Sequence, residues 1–164
     1  MCREYKPSRR FLLKITETMK KILIQANNLD TVIDVFNYIY GHQGCKEAEV
    51  AEYCGFTGRQ VAYYVGACIY LDLLNRDWTP TELARDIKTN NPAEVEDRIY
   101  QRIVDDDVIG QVYNYLCSEP EGNISNFALE LVKEEFPGYS DAVYTRRSDN
   151  IVKWCKKIYR YLNN

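Results

Sequence analysis

Apolar residues recur along most of this chain at intervals of three and four, the spacing that lines one face of an α-helix. Phe11, Leu12, Ile15, Met19, Leu23 and Ala26 share one side of a first helix that Ser8 caps and Asn27-Asn28 stops, leaving Lys14, Lys20 and Lys21 toward solvent. Val32, Ile33, Phe36, Ile39 and Tyr40 predict a second helix, opened by Asp30 and closed by Gly41. "CKEAEVAEYCG" predicts a short helix with Val50, Ala51 and Cys54 inward, Glu47, Glu49 and Glu52 outward, and Gly55 at its end. "FTG" turns the chain into a longer helix from Gly58 toward Asn75, with Val61, Tyr64, Val65, Cys68 and Leu71 as its buried stripe. Two helices joined by a short Gly-containing turn, the second the longer, form the helix-turn-helix pattern.

Beyond Leu74, "NRDWTPTELARDIKTN" predicts a polar turn, a short extended piece at Trp78 and a Thr-capped helix over 80–88. A wing hairpin belongs around Leu73 to Trp78 and has to be very short. A further helix starts at Pro92, breaks near Asp105 to Asp107, resumes to Cys117 and ends at Pro120 and Gly122. "NISNFALELVKEEF" is then a short amphipathic helix, "PGYSDA" a turn and "VYTRRSDNIVKWCKKIYRYL" a long terminal helix. Residues 30–75 and 108–162 thus follow one three-helix plan, alike in layout and not in residue identity. The expected fold is mainly α, with tandem winged-helix-like (helix-turn-helix) modules and very little β. It divides into an N-terminal basic helix (1–29), a first module (30–90) and a second (91–164).

Composition narrows the class. With 46% apolar and 13% aromatic residues in 164, the chain is an ordinary globular one, away from the regime that stays disordered. No apolar run reaches the roughly 18–20 residues that cross a bilayer, and Met1 to Arg10 is polar with no hydrophobic secretory core behind it. A cytoplasmic protein without a membrane partner is expected. The six cysteines contain no C-x-x-C pair, and the single histidine, His42, completes no zinc set of usual spacing. The thiols read as small hydrophobes in a reducing compartment.

The net charge of −3 conceals a segregated distribution: residues 1–21 and 142–164 are each +5, leaving the middle at −13. Two basic ends suggest a surface turned toward a polyanion. In the terminal helix, Ile151, Trp154, Cys155, Ile158 and Leu162 are spaced to face the core, which sets Arg146, Asn150, Lys153, Lys157 and Arg160 on the opposite side. Such cations can neutralise phosphates, and Asn150 can donate to a base edge or a phosphate. In the helix from Gly58, burying Tyr64 turns Arg59, Gln60, Tyr63, Gly66, Ala67 and Tyr70 outward or to the flank, where Tyr63 and Tyr70 are expected to pack against the N-terminal helix. Arg and Gln match guanine and adenine edges in the major groove, and a recognition helix reads bases with its N-terminal residues. Gly66 suits a close approach by another helix or a partner.

The run "EVAEYCGFTGRQVAYYVGACIYLDLL", continuing into "TPTELARDI", resembles the winged-helix domain found in bacterial and phage restriction-associated proteins, over roughly residues 30–88. Arg59, Gln60, Tyr63 and Tyr64 are the most specific part of the likeness. "YSDAVYTRRSDNIVKWCKKI" is similar to the terminal helix of such proteins, where Arg-Arg, here Arg146 and Arg147, precedes a Trp, here Trp154. The chain departs from that pattern at Asp72, where a Gly usually follows Tyr-Leu. The resemblance implies binding of double-stranded DNA, commonly beside a nuclease on a separate polypeptide.

No catalytic residues, metal ligands or cofactor are expected: there is no strand-borne D…E-x-K set, P-loop or G-x-S-x-G, and Asp105-Asp106-Asp107 reads as a solvated turn or helix cap. The function expected is sequence-specific DNA binding, by a regulator or the recognition subunit of a restriction or defence system. An alternative is a protein-interaction module, adaptor or inhibitor, using the acidic centre and the tyrosine-rich surface. Homodimerisation through the N-terminal helix is compatible with both.

Overall fold

The computed structural model describes residues 23–164. Among them are eight helices: α1 Leu29–Gly41, α2 Glu47–Cys54, α3 Gly58–Tyr70, α4 Glu82–Ile87, α5 Pro92–Val104, α6 Asp107–Ser118, α7 Ile124–Glu135 and α8 Asp141–Leu162. Each boundary follows from local chemistry. Asn28 Oδ1 accepts from the Thr31 N–H at the start of α1, two residues before the expected Asp30 cap. Gly55 ends α2 in the left-handed region, φ 68°, where a side chain is strained. Thr57 and Gln60 cap each other at the start of α3, Thr81 caps α4, and Ser140 Oγ accepts from the Val143 N–H to open α8.

Two three-helix units emerge. In the first, α1 and α2 pack against each other and both against α3; in the second, α6 and α7 do the same with α8. The units share a detail: the Cys68 thiol on α3 meets the Val32 carbonyl on α1, and the Cys155 thiol on α8 meets the Ile109 carbonyl on α6, both at 3.7 Å. Each last helix therefore seats a small sulfur side chain against the backbone of the first, where a weak S–H donor fits without a void. Short α4 and α5 connect the units, and the buried apolar residues form one cluster from Leu23 to Ile158.

The strand content is close to nil, as expected of this fold. An isolated antiparallel bridge between Leu74 and Pro80 closes a miniature hairpin, fastened by Asn75 N–H to the Thr79 carbonyl at 2.8 Å and Thr81 N–H to the Leu73 carbonyl at 3.2 Å. Asp72 and Trp78 at its edges take positive φ, 60° and 69°. A glycine would relax either position.

Three expectations need correction. The Ser8-capped helix lies outside the described residues up to position 22, but Leu23 to Asn28 belong to no helix; their carbonyls are engaged by side chains of α8. Ala67 does not turn outward but is 1% exposed, and Tyr70, expected to pack on the flank, is 5% exposed with its hydroxyl against Asp106 at the cap of α6. Leu162 is not core but 49% exposed, one turn past Ile158 where the packed body ends. The helix-cap reading of Asp105 to Asp107 holds at Asp106, which is only 4% exposed and caps α6 by accepting from the Val108 and Ile109 N–H groups.

Tyr70 fastens the two units at that cap. Its hydroxyl donates to Asp106 Oδ2 at 2.9 Å, so α3 of the first unit ends against the first turn of α6. Burial, reinforced by the Asp106 carboxylate, pushes the Tyr70 hydroxyl far above its ordinary value and holds it as a donor. No helix among the described residues is long and apolar enough to cross a membrane.

Tyr70→Phe removes the phenol and leaves the buried carboxylate short of a donor, so it should destabilise the fold by about 1–3 kcal/mol in chemical denaturation. An unchanged midpoint would remove this bond from the account of how the units join. Thiol labelling provides a second check. Burial pushes Cys68 and Cys155 up to about 12, while Cys117 is exposed. At pH 8, Cys117 should react at once and Cys68 and Cys155 only after denaturant is added.

Candidate nucleic-acid interface

Helix α3 presents its N-terminal half to solvent. Arg59 and Gln60 are both exposed in its first turn. Gln60 Oε1 accepts from the Thr57 N–H at 3.0 Å and lies 3.3 Å from the Thr57 hydroxyl. The acceptor end of this amide is thus occupied by the cap, and its NH₂ end remains a donor. Ala62 and Gly66 follow on the same outward face, and a Cβ added at Gly66 would meet nothing within 4 Å. The glycine therefore makes no close helix contact; it leaves a low surface. Tyr63 is half-buried against the core at the edge of this face.

Tyr64 anchors the helix. It is 7% exposed, stacks on Phe56 with ring centres 5.0 Å apart, and donates its hydroxyl to Asn27 Oδ1 at 2.9 Å. Burial raises this hydroxyl above its ordinary value, which keeps the donor protonated. The two adjacent tyrosines thus have different work: Tyr64 fixes α3 to residues 23–28, and Tyr63 shapes the border of the open face.

Helix α8 does not present the expected single open stripe. Asn150 is only 8% exposed and donates to the Ile24 carbonyl at 3.4 Å. Arg147 is half-buried, donates to the Leu23 carbonyl at 2.9 Å and lies over the Tyr139 ring at 5.3 Å. Lys157 pairs with Asp30 in the first turn of α1. These three side chains are committed to the segment leading into α1, so α8 is covered on a second flank as well as on its core face. The physical reason is that Leu23, Ile24 and Ala26 are themselves buried and bring carbonyls that need donors.

The cations that remain open on α8 are Arg146, Lys153, Lys156 and Arg160. Among the described residues, none of Lys153, Lys156 and Arg160 has an ion-pair partner. Arg146 spends its Nε–H on the Ala142 carbonyl of its own helix at 3.4 Å. Lys156 was not among the expected contacts, although its position beside Lys157 in "WCKKIY" makes it one of the two faces such a pair must show.

Where α8 passes the N-terminus of α1, an open groove of about 340 Å³ forms between Asn27, Asn28 and Asp30 on one wall and Lys153, Lys157 and Arg160 on the other, with Trp154 below. Tyr64 of α3 donates to Asn27 on the rim of this groove. No group of three or more His, Cys, Asp or Glu residues able to hold a metal occurs among the described residues.

A family model matches residues 31–163, from the first turn of α1 to the end of α8. The chain belongs to the DUF7226 family, a domain of unknown function. The DUF7226 match runs without a break through both three-helix units and the α4–α5 connection. No curated protein and no solved structure matches this DUF7226 chain.

The clamp on residues 23–28 is testable by hydrogen exchange. Asn150→Ala should speed exchange of the backbone amides at 23–28 while leaving α2 unchanged, with a loss of about 1–2 kcal/mol in stability. Equal exchange in the two proteins would mean that Asn150 does not hold this segment.

Proposed function

We propose that this protein binds double-stranded DNA sequence-specifically, as a regulator or as the target-recognition subunit of a restriction or defence system. The observation that carries the reading is the open N-terminal face of α3. Arg59 and the NH₂ end of the Gln60 amide stand exposed beside Ala62 and Gly66, which add no bulk to keep a groove wall away. Arg can read guanine through two parallel donors, and the Gln60 NH₂, with the amide oxygen held by the cap, can donate to an acceptor on a base edge. Arg146, Lys153, Lys156 and Arg160 on α8 supply phosphate neutralisation, which orients the protein and provides affinity without sequence information. The restriction association rests on the winged-helix likeness of residues 30–88, in which the short hairpin at Leu74 to Pro80 would stand in the position of the wing.

One observation favours a second reading, an adaptor or inhibitor that binds protein. Tyr53, 61% exposed, stacks on Tyr38 at 4.5 Å, and Tyr38 stacks on His42 at 4.1 Å. Desolvation, and then Glu49 among neighbouring groups, raises the Tyr38 hydroxyl above its ordinary value. An exposed aromatic stack beside carboxylates suits a partner carrying Arg or Lys.

Selection from a random duplex library, read at two salt concentrations, discriminates the two. The DNA reading expects an enriched site whose affinity falls steeply with salt. Arg59→Ala should cost about 1–3 kcal/mol and relax preference at one base pair, whereas Lys156→Gln should weaken all duplexes alike and lower the salt slope by about 1. No enriched site, together with capture of a basic partner that Tyr53→Ala abolishes, would select the protein-binding reading.

A further inference from the structure

The groove between α1 and α8 combines features that the duplex reading does not require of a plain basic surface. Lys153, Lys157 and Arg160 line it at intervals of four and three along one helix, so all three ammonium or guanidinium groups address the same space. They face the N-terminal turn of the 13-residue α1, where backbone N–H groups and the helix dipole favour negative charge. One carboxylate, Asp30, stands against these three cations, and it is already engaged by Lys157. Lys153 and Arg160 thus keep their charge unspent among the described residues.

Two further details concern the floor and rim. Trp154 lines the groove while being only 1% exposed, and its indole N–H is buried with no acceptor. Indole is a donor only, so an acceptor atom alone can satisfy it. The Asn27 and Asn28 side chains complete the rim. Asn27 Oδ1 accepts the Tyr64 hydroxyl, and Asn28 Oδ1 accepts the Thr31 N–H, so in both amides the oxygen is used inward and the NH₂ is left as a donor.

We propose that this groove is a discrete phosphate-binding site, in which Lys153 and Arg160 grip one phosphoryl group over the N-terminus of α1. The proposal rests on and deepens the duplex reading, because a backbone phosphate of a bound duplex is one source of that group; a free phosphate or the terminal phosphate of a nucleotide is the other. The groove is built for the tetrahedral, multiply accepting oxyanion and not for a base: its polar lining, apart from Asp30, is made of donors. Arg160 offers a fork that engages two oxygens, and Lys153 a point charge for a third. Lys157 holds the wall in place through Asp30.

Trp154 makes the site visible. In Trp78→Phe protein it is the sole tryptophan, and titration with inorganic phosphate or pyrophosphate at constant ionic strength should change its fluorescence saturably. Pyrophosphate, with more charge, should bind more tightly. The double variant K153Q/R160Q alters only exposed side chains, so its thermal transition should match the parent. It should raise the half-saturation concentration about tenfold or more, the loss expected when charged donors are removed, while Arg59→Ala leaves it unchanged. A terminally phosphorylated duplex compared with an unphosphorylated one separates the two sources: an advantage for the first assigns the site to terminal phosphates, and equal binding of both, weakened by K153Q/R160Q, assigns it to the backbone. No saturable signal with phosphate, pyrophosphate or duplex, or the same signal from chloride, would overturn the site even if Arg59-dependent duplex binding persists. Saturable phosphate binding with no duplex bound would instead uphold the site and remove the duplex reading.

Discussion

The arrangement of this molecule depends on how one short piece of non-helical chain, Leu23 to Asn28, is satisfied between two helical units. Buried backbone carbonyls outside regular structure must find donors or cost free energy comparable to a lost hydrogen bond. Here α8 provides them: Arg147 donates to Leu23 and Asn150 to Ile24, across sequence separations of more than a hundred residues. From the other side Tyr64 of α3 donates to Asn27, and at the end of the segment Asp30 meets Lys157. The Asp30–Lys157 pair is half-exposed and adds little stability alone. Its effect is positional, since it sets where the N-terminus of α1 lies along α8.

A second joint works with the first. Tyr70 and Asp106 tie the far end of α3 to the cap of α6, and α6 packs on α8. Helix α3 is therefore held at its middle through the 23–28 segment and at its end through the α6 cap, both of which lead to α8. A continuous apolar cluster runs beneath. Each joint uses a tyrosine hydroxyl, which explains part of the tyrosine richness of the chain. A phenol spans an apolar layer and still delivers a donor at its tip.

The helices themselves were legible because their signals are local. Apolar spacing located α1 to α3, α7 and α8, a Thr cap and Pro92 marked α4 and α5, and the break at Asp105 to Asp107 fell where α5 gives way to α6. The faces were less legible. Periodicity identifies the side of a helix that meets its immediate neighbours, so Ile151, Trp154, Cys155 and Ile158 were correctly assigned to the core. It carries no information about a second neighbour arriving from far away in sequence, and for that reason Asn150 and Arg147 were assigned to an open surface while residues 23–28 in fact lie on them. Tyr70 was expected to pack and does, but periodicity could not name Asp106 at the cap of α6 as the partner of its hydroxyl. Arg59 and Gln60 presented no such difficulty: a first turn following a tight Gly-containing corner projects from the body, and both are exposed.

This division of contacts also bears on how the proposed function would be partitioned. The open face of α3 carries one cation, Arg59, so it has groups for reading bases but little charge with which to hold a polyanion. The open side of α8 has the opposite character, with several cations and no base-reading amide once Asn150 is turned inward. A helix poor in charge gains affinity from phosphate contacts only if the element that supplies them is rigidly placed, because every degree of freedom between them would have to be frozen on binding. The clamped segment at 23–30 and the Tyr70–Asp106 joint remove that freedom in advance. On this view the buried polar residues of α8, Arg147 and Asn150, contribute to recognition without touching a ligand: they fix the distance between the helix that reads and the helix that holds.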